Sequence, residues 1–492
     1  MFASPLRPLS GTATTPLMSI AHPIRRTRVA QVALTLFLNA AALAAQSARV
    51  DLLITNVSVV DVVTGRITPR QSIAIRGDTI VAVMTAGRSQ NIRSGRMIDG
   101  AGRFVIPGLW DMHVHFGGGP ALIAENRALL PLYTAHGIVA VRDAAGDLSE
   151  SVLSWRDSVA RGLLDGPTIF TSGPKIEGIN SVWPGDIEID TRAGVDSALD
   201  RLQAMQVDFV KLTDNTLKPD LFRYALGEIR KRGLRSSAHI PATVSVREAI
   251  ALGLGSIEHL SYAVRAGAER DGQPTPADVI AAFDSTTAMN TYRLMARRGT
   301  AITPTLNISR TLAWLDADNH ASDPYLRYIG PGLQLTYQGR VVRAAQADSA
   351  AIARRHRVYD FTSARLPMLQ AAGVLILAGT DAGFLNSFDY PGIGLHDELQ
   401  LMVRAGLTPM QALRGATING AILLGKSLRH GTIAPGKAAD LVLLDRNPLI
   451  DISATRGIHA VVQRGHYLSS AALAAMLNET AALVRAMPRP AP

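Results

Sequence analysis

Leu109-Trp110-Asp111-Met112-His113-Val114-His115 is an apolar run that ends in two histidines. Read as a β-strand, it puts His113 and His115 on one face, because successive side chains alternate and positions two apart coincide. One strand end then presents two imidazoles to the same side. Short apolar runs of the same kind recur outward from it: 138–142, 167–171, 209–212, 235–239, 256–259, 301–306 and 374–378, each followed by helix-forming sequence. Strands alternating with helices, about eight in all, predict an α/β chain folded as a (β/α)8 TIM-like barrel over 108–428. Residues 271–371 exceed one βα unit and predict an additional helical segment.

On either side of that region the pattern changes. Segments 51–55, 57–61, 72–75 and 79–83 are short, apolar and bounded by Gly, Asn or Asp, which reads as strands and turns. Segments 431–437 and 440–445 read as strands again. The expectation is a small β-sandwich domain built from both chain ends, 49–107 and 429–492, the latter closing with a C-terminal helix.

Composition narrows the chemistry. With 47% hydrophobic and 18% charged residues over 492 positions, the chain is neither disordered, collagenous nor coiled-coil. Net charge is +10, but Arg7, Arg25, Arg26, Arg28 and Arg49 face no acid within 1–49. The excess elsewhere is modest and forms no basic stripe, so nucleic acid is not an expected partner. Cysteine is absent, which excludes disulfides, a thiol nucleophile and thiolate metal sites. Arg25, Arg26 and Arg28 precede an apolar run from Val32 to Ala45 that ends near the small residues Ala42-Leu43-Ala44. This order reads as a signal peptide and leader over 1–48, with Met18 the more conventional start. The run is too short to span a bilayer comfortably. A secreted or periplasmic protein follows, with no stable membrane insertion once the segment is cleaved.

Polar residues collect where the apolar runs end. Lys211 follows Phe209-Val210, His239 follows Ala238, His259 follows Glu258, and Asp381 follows Gly379-Thr380. Singly, each has an ordinary structural explanation: a bonded core histidine, a snorkelling lysine, a helix cap. Placed with His113 and His115 at the same end of one barrel, they require something to neutralise and order them. A divalent cation does so. Imidazoles with carboxylates suit Zn2+, with Mn2+, Co2+ or Fe2+ as alternatives. A lysine fits among such ligands only as a neutral amine or as the carbamate formed with CO2.

The chain resembles the metal-dependent amidohydrolase superfamily in Asp111-Met-His-Val-His115, the isolated Lys211, Ala238-His239 through Gly255-Ser-Ile-Glu-His259, Gly379-Thr-Asp-Ala-Gly383 and 431–445. Within it, Ile257-Glu-His259, 134–143 and 395–403 look like the branch of imidazolonepropionase-like proteins, Xaa-Pro and Xaa-Arg/Lys dipeptidases and ochratoxin-degrading amidohydrolases. The resemblance implies two divalent metal ions, most simply Zn2+. His113, His115 and Asp381 would hold one, His239 and His259 the other, and Lys211 carbamylated by CO2 would bridge them. It further implies a hydroxide bridging the metals as nucleophile, with Asp381 as catalytic base and then acid.

The implied function is a hydrolase cleaving a C–N amide or peptide bond of a dipeptide, N-acyl amino acid or ochratoxin-like amide. The partner is that small molecule, and self-association into a homo-oligomer is compatible with the family. Two places depart from the dipeptidase pattern: Thr213-Asp-Asn-Thr216 stands where a Gly-rich stretch is usual, and Pro241 where a second His is usual. The rival activities are a cyclic-amide hydrolase of imidazolonepropionase type and a deaminase, whose pattern needs Glu where Ala242 stands. The non-enzyme rival is an inactive scaffold, which loss of ligands would mark. Substrate recognition is expected from the loops at 116–120, Arg142-Asp143, 213–216, Tyr262 and Asn307.

Overall fold

The computed structural model describes residues 49–144, 146–270 and 275–489; the signal segment expected at 1–48 lies outside them. From Val50 onward, Asn91–Arg93 apart, the chain is one compact unit. Among the described residues no helix is long and apolar enough to cross a membrane.

Both chain ends build one mixed, eight-stranded sheet. Its order is His466–Ser469, Ile458–Gln463, Leu441–Leu444, Phe104–Pro107, Val50–Val60, Ile67–Arg76 and Thr79–Thr85, with Ser94–Asp99 also on Val50–Val60. The ends meet at Phe104–Pro107, which is parallel to Val50–Val60 and antiparallel to Leu441–Leu444. Residues two apart, such as Ile73 and Ile75 or Leu441 and Leu443, bury an apolar core belonging to this sheet. Both ends contribute to it as expected, but among the described residues they form one sheet where a β-sandwich was expected, and two details differ further. The strands expected at 51–55 and 57–61 are one: Val50–Val60 runs through Asn56, which takes φ +59° and shifts the register against Ile67–Arg76. Asn enters the left-handed region at low cost, so a residue read as a turn makes a bulge. Residues 431–437 contain no strand, since Gly431 and Gly436 turn at φ +86° and +85°; only Ala438 bridges, to Thr79.

The remaining strands are parallel and lie in two sheets. One runs Ala382–Gly383, Leu109–His115, Ile138–Asp143, Thr168–Thr171; the other Ile187–Ile189, Ile176–Gly178, Val210–Leu212, Ser236–Ala238, Ser256–Glu258, Ala301–Thr303. Most of their positions are buried, as befits parallel strands covered by helices. Helix Pro219–Lys231 shows how the cover forms. Proline opens its first turn, Arg230 and Lys231 close its last, and Leu221, Phe222, Ala225, Leu226 and Ile229 make its buried stripe. Hydrogen bonds link the two sheets on both sides. Asp208 N donates to Thr171 O at 2.9 Å, Leu377 N to Ile302 O at 2.8 Å and Met112 N to Ala378 O at 2.9 Å. The run at 374–378 therefore makes a bridge, Ile376 to Ile302, in place of the full strand expected. Between Ala301–Thr303 and that bridge stand the long helices Pro331–Ala345 and Ser349–Ser363.

Candidate metal centre and active site

Strand Leu109–His115 is buried along its whole length, and alternation turns both histidines to one point. Asp381 Oδ1 stands 2.6 Å from His115 Nε2 and 3.2 Å from His113 Nε2. Asp381 reaches there from a left-handed backbone, φ +76°, with its N–H donating to His113 O at 2.7 Å. From the other sheet, the His259 ring lies 5.1 Å from that of His113 and 4.8 Å from that of His239. Nε2 of His259 and Nε2 of His239 are 2.9 Å apart, while Thr305 Oγ1 meets His259 Nδ1 at 2.7 Å. Lys211 is buried, its Nζ makes no hydrogen bond, and its charge acts on His239, His259 and Glu258. All six candidate residues are thus brought together, the four histidines and Lys211 at or next to the C-terminal ends of parallel strands, where such folds place their sites, and Asp381 between the Ile376 bridge and strand Ala382–Gly383.

Glu258 is the residue that sequence reasoning missed. It lies beneath the site, fully buried, and accepts from His113 Nδ1 at 2.7 Å. That bond fixes the tautomer and leaves His113 Nε2 as the donor atom facing Asp381. Arg142 Nη2 donates to both Glu258 oxygens at 2.8 and 2.7 Å, and Ser237 and Ser256 hydroxyls add bonds of 2.6 Å. Arg142 was expected to meet substrate. It does not: it is 1% exposed, occupied by Glu258, Met112 O and Thr303, and packed over Phe209. Asp143 likewise accepts from Thr171 Oγ1 inside the fold, and Asn307 Nδ2 donates to Asp389. Tyr262 does border the centre. It stacks on His239 with ring centroids 5.1 Å apart and donates to Asp214 at 2.9 Å. On the opposite side Trp183 stacks on His115 at 5.9 Å, held by Phe384 and by Lys175, whose ammonium pairs with Asp186 at 3.1 Å. A tryptophan in a Ser/Pro/Gly loop carries no sequence signal for that role.

The electrostatics fit a divalent cation. Burial pulls the imidazolium of His115 down to about 4 and that of His259 to about 3, and holds His239 well below its usual range. These rings are neutral near pH 7, the form that ligates metal. Burial also lowers His113, but Asp381 and Glu258 outweigh it and leave the ring above its ordinary value. Negative charge is in excess at that point. Two half-buried Nε2 atoms facing each other, with the buried His113 Nε2 and Lys211 Nζ lacking hydrogen bonds, are what a bound cation would satisfy. His113, His259 and Asp381 offer donor atoms all within 4.8 Å of one another. Burial pulls Lys211 down to about 8, so its amine has a neutral fraction near physiological pH.

Behind His259, the backbone N–H of Asn307 donates to Glu398 Oε2 at 2.7 Å and fixes the Thr305 turn. Burial pushes the Glu398 carboxyl up to about 8. The folded state holds this proton more tightly than the unfolded chain, so the contribution to stability is full below about pH 4.3 and is lost as pH rises through about 8. Glu398→Gln is expected to flatten that decline in urea melts between pH 5 and 9; an unchanged slope would remove Glu398 as its source.

Residues 193–483 match the amidohydrolase family, well over half of the chain and including His239, His259 and Asp381. The chain belongs to the amidohydrolase family. This amidohydrolase is similar to ochratoxinase of Aspergillus niger, 23% identical over 401 residues and covering 71% of each chain. It is similar as well to imidazolonepropionase of Sphingopyxis alaskensis, 27% identical over 401 residues, 75% of this chain and 85% of the relative. A solved Xaa-Pro dipeptidase with methionine in its active site shares the fold, with a TM-score of 0.65 at 22% identity over 85% of this chain and 99% of that one. The amidohydrolase is therefore an enzyme, a hydrolase among relatives that act on amide and peptide bonds.

Proposed function

We propose that this chain is an exported, binuclear amidohydrolase that cleaves the C–N bond of a dipeptide, N-acyl amino acid or ochratoxin-like amide, its two parallel sheets closing as a (β/α)8 barrel. The convergence of four imidazoles, Asp381 and an unbonded Lys211 on one buried point carries the reading. His113, His115 and Asp381 would hold one divalent ion, His239 and His259 the other, most simply Zn2+, with carbamylated Lys211 between them. Bound there, the ions supply Lewis acidity toward the scissile carbonyl and bring the pKa of water toward neutrality. The chain's own residues do the rest. Asp381 is held ionised well below its usual range, burial notwithstanding, by the histidines around it. Its Oδ1 is turned to His113 and His115, which leaves Oδ2 to accept the proton of the attacking water and pass it to the departing nitrogen. Glu258 keeps His113 in one tautomer throughout, and Trp183 and Tyr262 wall the two sides against bulk water. The likeness to imidazolonepropionase supports a cyclic-amide substrate as the second reading.

The test is metal content and amide hydrolysis in wild type and Lys211→Ala, with metal loading in the presence and absence of bicarbonate. Two ions per wild-type chain, and loss of activity by at least about 100-fold in the variant, are the expected results. Loading should quicken as pH rises through about 8, where the Lys211 amine becomes neutral. One ion or none, with activity indifferent to the substitution, would overturn the binuclear reading.

A further inference from the structure

We propose that Arg340 binds the α-carboxylate of the substrate's leaving half, so that the scissile nitrogen belongs to an amino acid with a free carboxyl group. This rests on the amide-hydrolase reading above and names its substrate class. Arg340 lies on helix Pro331–Ala345, which is fastened at two levels. At its start Glu125 accepts from the backbone N–H groups of Gly332 and Leu333 at 2.9 and 2.7 Å, a carboxylate on orphan donors at the positive end of the helix. The approach is so close that a Cβ on Gly330 would stand 2.2 Å from Glu125 Oε2. One turn later the helix meets the loop that follows Asp381: Leu385 N donates to Thr336 Oγ1 and Ser387 Oγ to Tyr337 O, both at 3.3 Å. Arg340 is four residues beyond Thr336 and three beyond Tyr337, the spacing that keeps side chains on one helix face.

Its guanidinium makes no hydrogen bond or ion pair among the described residues, and its Nη1 is buried. Burial pulls the group below its ordinary value, and Asp381 is the acid whose charge offsets this. No hydrogen bond or ion pair joins Arg340 to Asp381, while the bonds from Leu385 and Ser387 tie its helix to the loop that follows Asp381. Among the other cations, Arg142 is occupied by Glu258, Lys175 by Asp186, and the half-buried Arg265 by the carbonyls of Ile240 and Pro241, while the unbonded Lys211 belongs to the metal centre itself. Arg340 as a whole is half-buried, but leaving its buried Nη1 without a partner is costly, and the planar fork of a guanidinium matches a carboxylate through two parallel bonds. In an amide hydrolysed beside Asp381, the anion nearest the departing nitrogen is the carboxylate of an amino-acid leaving group. Dipeptides, N-acyl amino acids and ochratoxin-like amides share that feature.

The experiment compares metal-loaded wild type, Arg340→Met and Arg340→Lys on N-acyl-L-phenylalanine and its carboxamide, and measures calorimetric binding of L-phenylalanine to each protein. Wild type should favour the acid. In Arg340→Met the acid-to-carboxamide ratio of kcat/KM should fall about 10- to 100-fold, with amino-acid binding weakened to match, and Arg340→Lys should recover part of both. A ratio and an affinity unchanged across the three proteins would remove Arg340 from recognition while leaving the hydrolase reading intact. Hydrolysis of neither compound, nor of any amide in a wider panel, by wild type with two ions bound would overturn that reading and this proposal with it.

Discussion

Asp381→Asn lowers kcat by about 10²- to 10⁴-fold, the range general acid–base groups supply, with little change in unfolding midpoint. Asn is the informative replacement because the backbone at 381 is left-handed, φ +76°, where Asn and Asp are tolerated and most side chains are strained. The amide keeps the size of the side chain, and the backbone bonds to His113 O and from Asn386 Nδ2 do not involve the carboxylate. What is lost is the negative charge and the oxygen that carries the proton. Steady-state kinetics at measured metal occupancy read the result. A fully loaded variant within about tenfold of wild type would show that another group moves the proton.

Glu258→Ala acts on stability first. It strands Arg142, 1% exposed and bonded to both Glu258 oxygens, as an uncompensated buried charge, which costs about 3–5 kcal/mol. It also frees His113 Nδ1 and with it the ring orientation, so metal affinity should fall about 10- to 100-fold. Urea unfolding and competitive metal titration measure the two effects separately. The double variant Arg142→Met/Glu258→Ala should recover much of the stability and none of the metal affinity, because removing both charges abolishes the penalty but leaves His113 unheld. A loss of stability below about 1 kcal/mol in the single variant would contradict the stranded-charge argument.

The donors of the centre were legible because each ends an apolar run, and strand periodicity alone turns His113 and His115 to one face. Their companions were less so. Arg142 and Glu258 are 116 positions apart, and nothing local shows that an arginine at a strand end is spent on a buried acid instead of on substrate. Glu258 adjoins His259 and lies inside a short apolar run, which is itself a signal that a cation must wait nearby. In the mixed sheet the pattern found half of the strands and missed Ser94–Asp99, Phe104–Pro107, Ile458–Gln463 and His466–Ser469, and Asn56 misled, because Asn serves a turn and a bulge by the same left-handed conformation. Residues 374–378 read as a strand from composition, but ladder formation depends on neighbours that composition does not contain. Arg340 offered nothing to a sequence reading: a helical arginine is ordinarily solvated, and only the absence of a partner in the folded chain sets it apart.

The contact between Glu125 and the amides of Gly332 and Leu333 joins positions 207 and 208 residues apart, and it makes the region after Ala301–Thr303 less of an interchangeable cassette than its length suggests. Asn126, next to Glu125, is bonded in turn to the backbone of Gly117, two residues past His115. The register of the helix that carries Arg340 is therefore keyed to the strand that carries the first two histidines. A chimera that imports this helix from a relative must bring glycine at position 330 and meet an acid at 125. Otherwise specificity and metal geometry drift together, and drift between relatives in either segment should leave its trace in the other.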